Sequence, residues 1–256
     1  EAGRRAEALA TSQEAVNLYR ELAADNRDAY LPNLAASVNN HANRLAEAGR
    51  RAEALVTSQE AVNLRRELAA DNRDAYLPDL AASVNNHATM MAAAGRRAEA
   101  LATSQEAVNL YRELAADNRD AYLPNLAASV NNHANRLAEA GRRAEALATS
   151  QEAVNLYREL AADNRDAYLP DLANSLWNVG YVACNVEETS EQILDAVAEG
   201  VQYFDELAAA EPQVFTARRD AAAATLADLQ NSAAGQHSKL APPKSPHTDE
   251  IARDTA

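Results

Sequence analysis

Glycines stand at positions 3, 49, 95 and 141 and prolines at 32, 78, 124 and 170. Both series step by 46, so residues 1–184 are four copies of one unit. The copies are nearly identical, with scattered differences: Ala10 is matched by Val56, Tyr19 by Arg65, and Asn43-Arg44-Leu45 by Thr89-Met90-Met91. A unit of this size is one supersecondary piece that cannot bury its own apolar face, so the copies have to stack on one another.

Each copy holds two helical patterns. From Arg4 to Asp25, Leu9, Val16, Leu18, Tyr19 and Leu22 fall near one face, with small Ala8, Ser12 and Ala15 between them. That spacing suits an amphipathic helix packed closely on a neighbour. The polar run Asp25-Asn26-Arg27-Asp28 supplies a break with capping residues. A second helix should begin between Asp28 and Pro32, with the proline in its first turn, where a missing N–H costs nothing. It runs through Leu34, Val38, Ala42 and Leu45 to Glu47, and Gly49 ends it as a C-cap. The reading is therefore an all-α fold of stacked antiparallel helix pairs, an α-solenoid.

Four segments follow. Residues 1–27 form the outer helix of a truncated first repeat, and 28–184 the near-identical helix pairs. Residues 185–230 diverge but keep the rhythm, with a capping-box spacing from Thr189 to Gln192 and an apolar stripe of Ile193, Val197, Val201, Phe204 and Leu207. They suit a capping repeat, which must face water on one side. Residues 231–256, with Pro242, Pro243 and Pro246 among Ser, Lys and Asp, read as a disordered tail. The chain opens on Glu1 in the middle of a repeat, as a piece of a longer protein would.

Composition narrows the function. The net charge is −14, and between residues 185 and 230 two arginines face ten carboxylates, a surface that repels phosphate backbones. No run of about 18 apolar residues exists to cross a membrane. The one cysteine, Cys184, excludes an intrachain disulfide and fits a cytoplasmic location. No Gly-rich phosphate loop and no His-Glu-x-x-His occurs, and Cys184 has no histidine near it in the pattern, so no enzyme, cofactor or catalytic residue is expected. Charged pairs such as Arg20 and Glu21 read as solvated.

Aligned on its glycine, the unit reads Val38-x-x-His41-Ala42-x-x-Leu45, Gly49, Ala54-x-x-x-Ser58, Ala61. This resembles the tetratricopeptide repeat over about residues 1–211. It departs where His41 replaces Leu, where Ser58 replaces an aromatic, and in its period of 46. Long periods occur in kinesin-light-chain-like and actinobacterial arrays, and Val38-Asn39-Asn40-His41-Ala42 is similar to the Leu-Asn-Asn-Leu-Ala run of the former. HEAT and armadillo repeats share the period, but the small residues at 42, 54 and 61 favour the tetratricopeptide reading. The resemblance implies a right-handed superhelix with the second helix of each pair lining a concave groove.

On that resemblance, the groove surface consists of Asn39, Asn40 and Asn43, then Asn85, Asn86 and Thr89, then Asn131, Asn132 and Asn135, then Trp177, Asn178 and Tyr181. An amide donates and accepts, so the ladder Asn40, Asn86, Asn132, Asn178 can hold the backbone of an extended peptide whatever its sequence. The alternative is that these amides bond neighbouring helices and set the stacking. Trp177 and Tyr181, one turn apart, are either binding anchors or side chains packed under the capping helices. His41, His87 and His133 recur once per repeat, without the i+4 partner a zinc site needs, and read as hydrogen-bonded core residues. Buried and neutral, they predict loosening below about pH 6.

The function expected is a protein–protein interaction scaffold, the sensing or docking arm of a larger signalling protein, with a peptide or protein partner and neither nucleic acid nor membrane. A self-assembly module that stacks head to tail through the open N-terminal end is the other class.

Overall fold

The computed structural model describes residues 2–186 and 189–234. Among them are ten helices and no strand. They are α1 (Ala2–Asp25), α2 (Arg27–Glu47), α3 (Arg51–Asp71), α4 (Arg73–Ala93), α5 (Arg97–Asp117), α6 (Arg119–Glu139), α7 (Arg143–Asp163), α8 (Arg165–Val186), α9 (Glu191–Ala210) and α10 (Pro212–Ala233). The chain divides between Asp120 and Ala121, in the first turn of α6, into two compact units. In each, helices consecutive in sequence pack on one another, the arrangement of an all-α solenoid.

Two small devices make the pairs. One residue separates an outer helix from the inner helix that follows. Asn26 closes α1 with its N–H on the Leu22 carbonyl (2.9 Å), and opens α2 by accepting from the Ala29 N–H through Oδ1 (3.3 Å). Asn72 and Asn164 repeat this cap on Ala75 and Ala167, both at 3.2 Å. The inner helix turns back through a glycine: Gly49 has φ +74°, its N–H meets the Ala46 carbonyl, and the Arg50 N–H meets that of Leu45, each at 2.9 Å. That is a Schellman stop, and an L side chain at such a φ is strained.

The inner helix begins earlier than the proline suggests. It starts at Arg27, so Pro32 lies inside it rather than in its first turn. The Asn26 cap decides the start. Pro32 only withdraws the donor for the carbonyl of Asp28, at an exposed residue where solvent replaces it. In the divergent part the N-cap of α9 is Ser190, whose Oγ accepts from the Ile193 N–H (3.4 Å), and not Thr189. Helix α10 continues to Ala233, past residue 230, where the divergent segment is expected to give way to the tail. Residues 235–256, where the disordered tail is expected, lie outside the described residues.

In unit 1 the core follows the predicted inner stripe, with Leu34, Val38, Ala42 and Leu45 all buried. The outer helices depart from it at one place. Leu68 of α3 is buried against Leu31 and Ala35 of α2, yet its counterpart Leu22 in α1 is 39% exposed and Leu18 is 53% exposed. No helix among the described residues covers that side of α1 as α2 covers α3. Arg20 and its copy Arg66, read as solvated, have partners in the next repeat, Glu60 and Glu106, as do Arg27 with Glu67 and Arg73 with Glu113, at 2.7–2.8 Å. These pairs are exposed, so each contributes only about 0.2–1 kcal/mol, but they tie successive outer helices in register.

In unit 2, α6 to α9 and α10 share one core, in which Leu123, Val154, Leu176, Val197 and Leu229 come from five different helices. Gly180 sits where the other copies have Ala42, Ala88 and Ala134. A Cβ there would come within 2.8 Å of Val197 Cγ2 and 2.9 Å of Thr225 Cγ2, so α9 and α10 are pressed onto α8.

Candidate functional site

The residues foreseen as a groove surface lie on α2, α4, α6 and α8, and the two units treat them differently. In unit 1, Asn40 is exposed and Asn39, Asn43, Asn85, Asn86 and Thr89 are half-buried, so all keep a face to solvent. In unit 2, Asn132 and Tyr181 are half-buried. Asn131, Asn135, Trp177 and Asn178 lie inside the unit, between 0% and 4% exposed, rather than on its surface.

The reasons are specific. Trp177 sits beneath the last two helices: its ring meets Phe204 edge-on at 6.2 Å, and its Nε1–H donates to Thr225 Oγ1 at 3.0 Å. A buried indole needs such an acceptor, and this is the packed alternative rather than the binding anchor. Asn178 donates through Nδ2 to Asn131 Oδ1 at 3.0 Å, so here an amide bonds the neighbouring inner helix and sets the stacking. Neither polar atom of Asn135 has a hydrogen-bond partner among the described residues. Its amide, closed off from solvent, offers nothing to a ligand.

Between α6, α7 and α8 lies an open cavity of about 280 Å³. Its polar lining includes Asn125, Asn131, Asn132, Tyr157, Asp171 and Asn174. No basic side chain contributes to it. Two of these residues, Asn131 and Asn132, belong to the expected groove surface. The other four do not, because asparagine repetition draws the eye to one stripe of the inner helix, while the cavity takes residues from an earlier turn and from an outer helix. The repeats gave no consistent signal for them: positions 65 and 79 hold Arg with Asp, 19 and 33, and 111 and 125, hold Tyr with Asn, and 157 and 171 hold Tyr with Asp.

The histidines are core residues. His41, His87 and His133 are 6%, 2% and 5% exposed. His41 Nδ1 lies 2.8 Å from Ser12 Oγ, and His87 Nδ1 lies 2.7 Å from Ser58 Oγ, so the serine that replaces the aromatic answers the histidine that replaces the leucine. The other nitrogen of His87 faces Gln59 Oε1 at 3.0 Å, while the Gln59 amide donates to Asn63. A neutral ring protonated at Nε2, with Ser58 donating to Nδ1, satisfies all three groups. Burial holds the pKa of both His41 and His87 below the usual value, with Arg50 and Arg20 adding to it for His41, and Arg96 and Arg66 for His87.

Among the described residues no group of three or more His, Cys, Asp or Glu is placed to hold a metal ion, and no helix is long and apolar enough to cross a membrane. Burial, with Asp228 second, pushes the Cys184 thiol up to about 11. Such a thiol stays protonated near neutrality and is a poor nucleophile.

No protein-family model matches the sequence, and no curated protein matches it. Among solved structures the chain is similar to BtubC (BKLC) from P. vanneervenii, with 17% identity over 94% of this chain and 96% of that chain and a TM-score of 0.42. At that identity and score, what is established for this chain is its own geometry. It is an all-α helical repeat protein.

Proposed function

We propose that this chain is a protein–protein interaction scaffold of the long-period tetratricopeptide type, whose inner helices hold an extended polypeptide segment. It would serve as the docking arm of a cytoplasmic signalling protein. The observation that carries the reading is the set of amides that keep a face to solvent on α2 and α4 of unit 1: Asn39, Asn40, Asn43, Asn85 and Asn86. An amide carries both a donor and an acceptor, which suits gripping a peptide backbone without reading its side chains. In unit 2, Asn132 on α6 and Tyr181 on α8 are half-buried and form a separate set.

The test is a panel of extended peptides of varied sequence measured by fluorescence polarisation against the full chain and against Asn40→Ala/Asn86→Ala. Both substitutions lie on solvent-facing positions of unit 1, so the helical spectrum should not change. Binding that weakens at least tenfold across the panel supports the reading. Equal binding by the two proteins, or none by either, overturns it.

The exposure of Leu18 and Leu22 favours a second reading, self-assembly through the open face of α1. Light scattering over a concentration series distinguishes the two readings. Association that disappears in Leu18→Ser/Leu22→Ser supports assembly, and a monomer at every concentration excludes it.

A further inference from the structure

Pairs of carboxylates seven residues apart mark the outer helices, and on α1 that pair is left over. Glu60 and Glu67 of α3 hold Arg20, near the end of α1, and Arg27, which opens α2, at 2.8 and 2.7 Å. Glu106 and Glu113 of α5 hold Arg66 and Arg73 in the same way, both at 2.8 Å. In unit 2, Glu199 and Glu206 of α9 hold Arg158 and Arg165. The carboxylates at this place in α1 are Glu14 and Glu21. Both are exposed, and neither has an ion pair among the described residues.

The apolar stripe beside them is open too. In α3 the stripe is Ala61, Leu64 and Leu68, and α2 covers it with Leu31, Leu34, Ala35 and Val38. The same places in α1 hold Ala15, Leu18 and Leu22, and the two leucines are the exposed ones already described. Residues 15, 18 and 22 share one face of a helix, and 14 and 21 run along its edge. The cover that α3 receives shows what fits this face. It is a helix pair with one arginine before its turn, a second seven residues on, and a Leu-x-x-Leu-Ala-x-x-Val stripe in its second helix.

A second copy of this chain is a poor occupant. Two α1 faces laid together antiparallel would set their Glu14 and Glu21 rows against each other, and like charges across an interface are costly. The last outer helix offers no arginines either, because Asp205 and Pro212 stand where α1 and α2 have Arg20 and Arg27.

We propose that the open face of α1 docks a helix pair of a partner protein that has the chemistry of α1 and α2. Its two arginines pair with Glu14 and Glu21, and its apolar stripe covers Leu18 and Leu22. Exposed ion pairs add little affinity, so the stripe supplies most of the binding and the carboxylates fix register and turn away acidic helices. The surface is separate from the amides of the inner helices, and the proposal stands apart from the peptide-binding reading.

The probe is a synthetic peptide with the sequence of residues 9–48, labelled with fluorescein, held dilute and titrated with the full chain in low salt, where charge effects are largest. Its anisotropy should rise saturably. Reversing the peptide's charges by Arg20→Glu/Arg27→Glu should weaken binding at least fivefold, and so should Glu14→Arg/Glu21→Arg in the chain. The reversed peptide and the reversed chain together should recover the original affinity to within twofold, which neither a folding defect nor binding elsewhere on the chain would do. Leu18→Ser/Leu22→Ser in the chain should remove binding of both peptides. No saturable binding, or equal affinity of the unaltered chain for the two peptides, overturns the proposal. Light scattering that shows the chain associating with itself through this face also overturns it, since a second copy is then the occupant.

Discussion

Positions 39 and 177 occupy the same place in the repeat, yet Asn39 in unit 1 keeps a face to solvent and Trp177 in unit 2 is 4% exposed. The helices that carry them have the same start and the same internal proline. What differs is the cover. Over α8 lie α9 and α10, close enough that a glycine replaces the usual alanine at 180, whereas nothing of that kind lies over residue 39 within unit 1. A polar stripe suits an open helix face and an aromatic suits a closed one, because burying an unpaired amide costs about 1–3 kcal/mol and burying an indole is favourable. The same position of the inner helix therefore has two environments, and α9 and α10 decide which it has.

The largest expected effect breaks the closed side of this comparison. Trp177→Ala should destabilise the protein by about 3–5 kcal/mol, through lost packing on Phe204 and the lost hydrogen bond to Thr225, while Asn39→Ala stays within about 0.5 kcal/mol. Chemical denaturation of the two variants checks it; similar losses would mean that the capping helices do not enclose Trp177. Its fluorescence in the unliganded protein should be blue-shifted and resistant to quenchers.

A smaller effect concerns the aspartate that faces Arg65. Arg65 is only 7% exposed, and its Nη1 donates to Asp79 Oδ2 at 2.6 Å. Asp79→Ala strands that guanidinium, and hydrogen bonds to charged groups contribute about 1.5–3 kcal/mol, so a loss of about 2 kcal/mol is expected. Thermal melts in low salt measure it.

Acid should act on unit 1 through His41 and His87. A base whose pKa is lower folded than unfolded binds its proton more readily in the unfolded chain. Its stabilisation is therefore intact above the unfolded value of about 6.5 and is lost as pH falls through the folded value. For His87 burial dominates, Arg96 and Arg66 act in the same direction, and Glu99 and Glu106 oppose them. Melting temperature should fall as pH drops from 6.5 to 5, and His41→Gln/His87→Gln should flatten that slope. A slope unchanged by the double variant would place the acid sensitivity elsewhere.

The smallest effect concerns the outer ladder. Glu60→Gln removes the partner of Arg20, a pair in which both side chains are more than a third exposed, and should cost about 0.2–1 kcal/mol. High salt should erase the difference.

Much of the fold was legible beforehand. The step of 46, the glycine stops, the asparagine breaks and the buried column of Val38, Ala42 and Leu45 all follow from residues within a few positions of one another, and local rules govern them. Helix starts were less legible, because Pro32 looks like an opening residue and the Asn26 cap overrides it. The site was half legible. The open amides of unit 1 follow from the pattern, but Asn131, Asn135 and Asn178 share that pattern and are buried.

By itself, then, the sequence determined which residues are helical, where each helix turns back, and which stripe enters the core, since those depend on neighbours three or four residues away. Only the tertiary structure decided that Leu22 is exposed while Leu68 is buried, that Trp177 is interior, and that residues of α6, α7 and α8 enclose a polar cavity. Exposure is a property of what lies opposite a side chain. In a repeat protein the opposite surface comes from a helix some 40 residues away, as the spacing of Arg20 and Glu60 shows, so identical stretches acquire different environments once they are stacked.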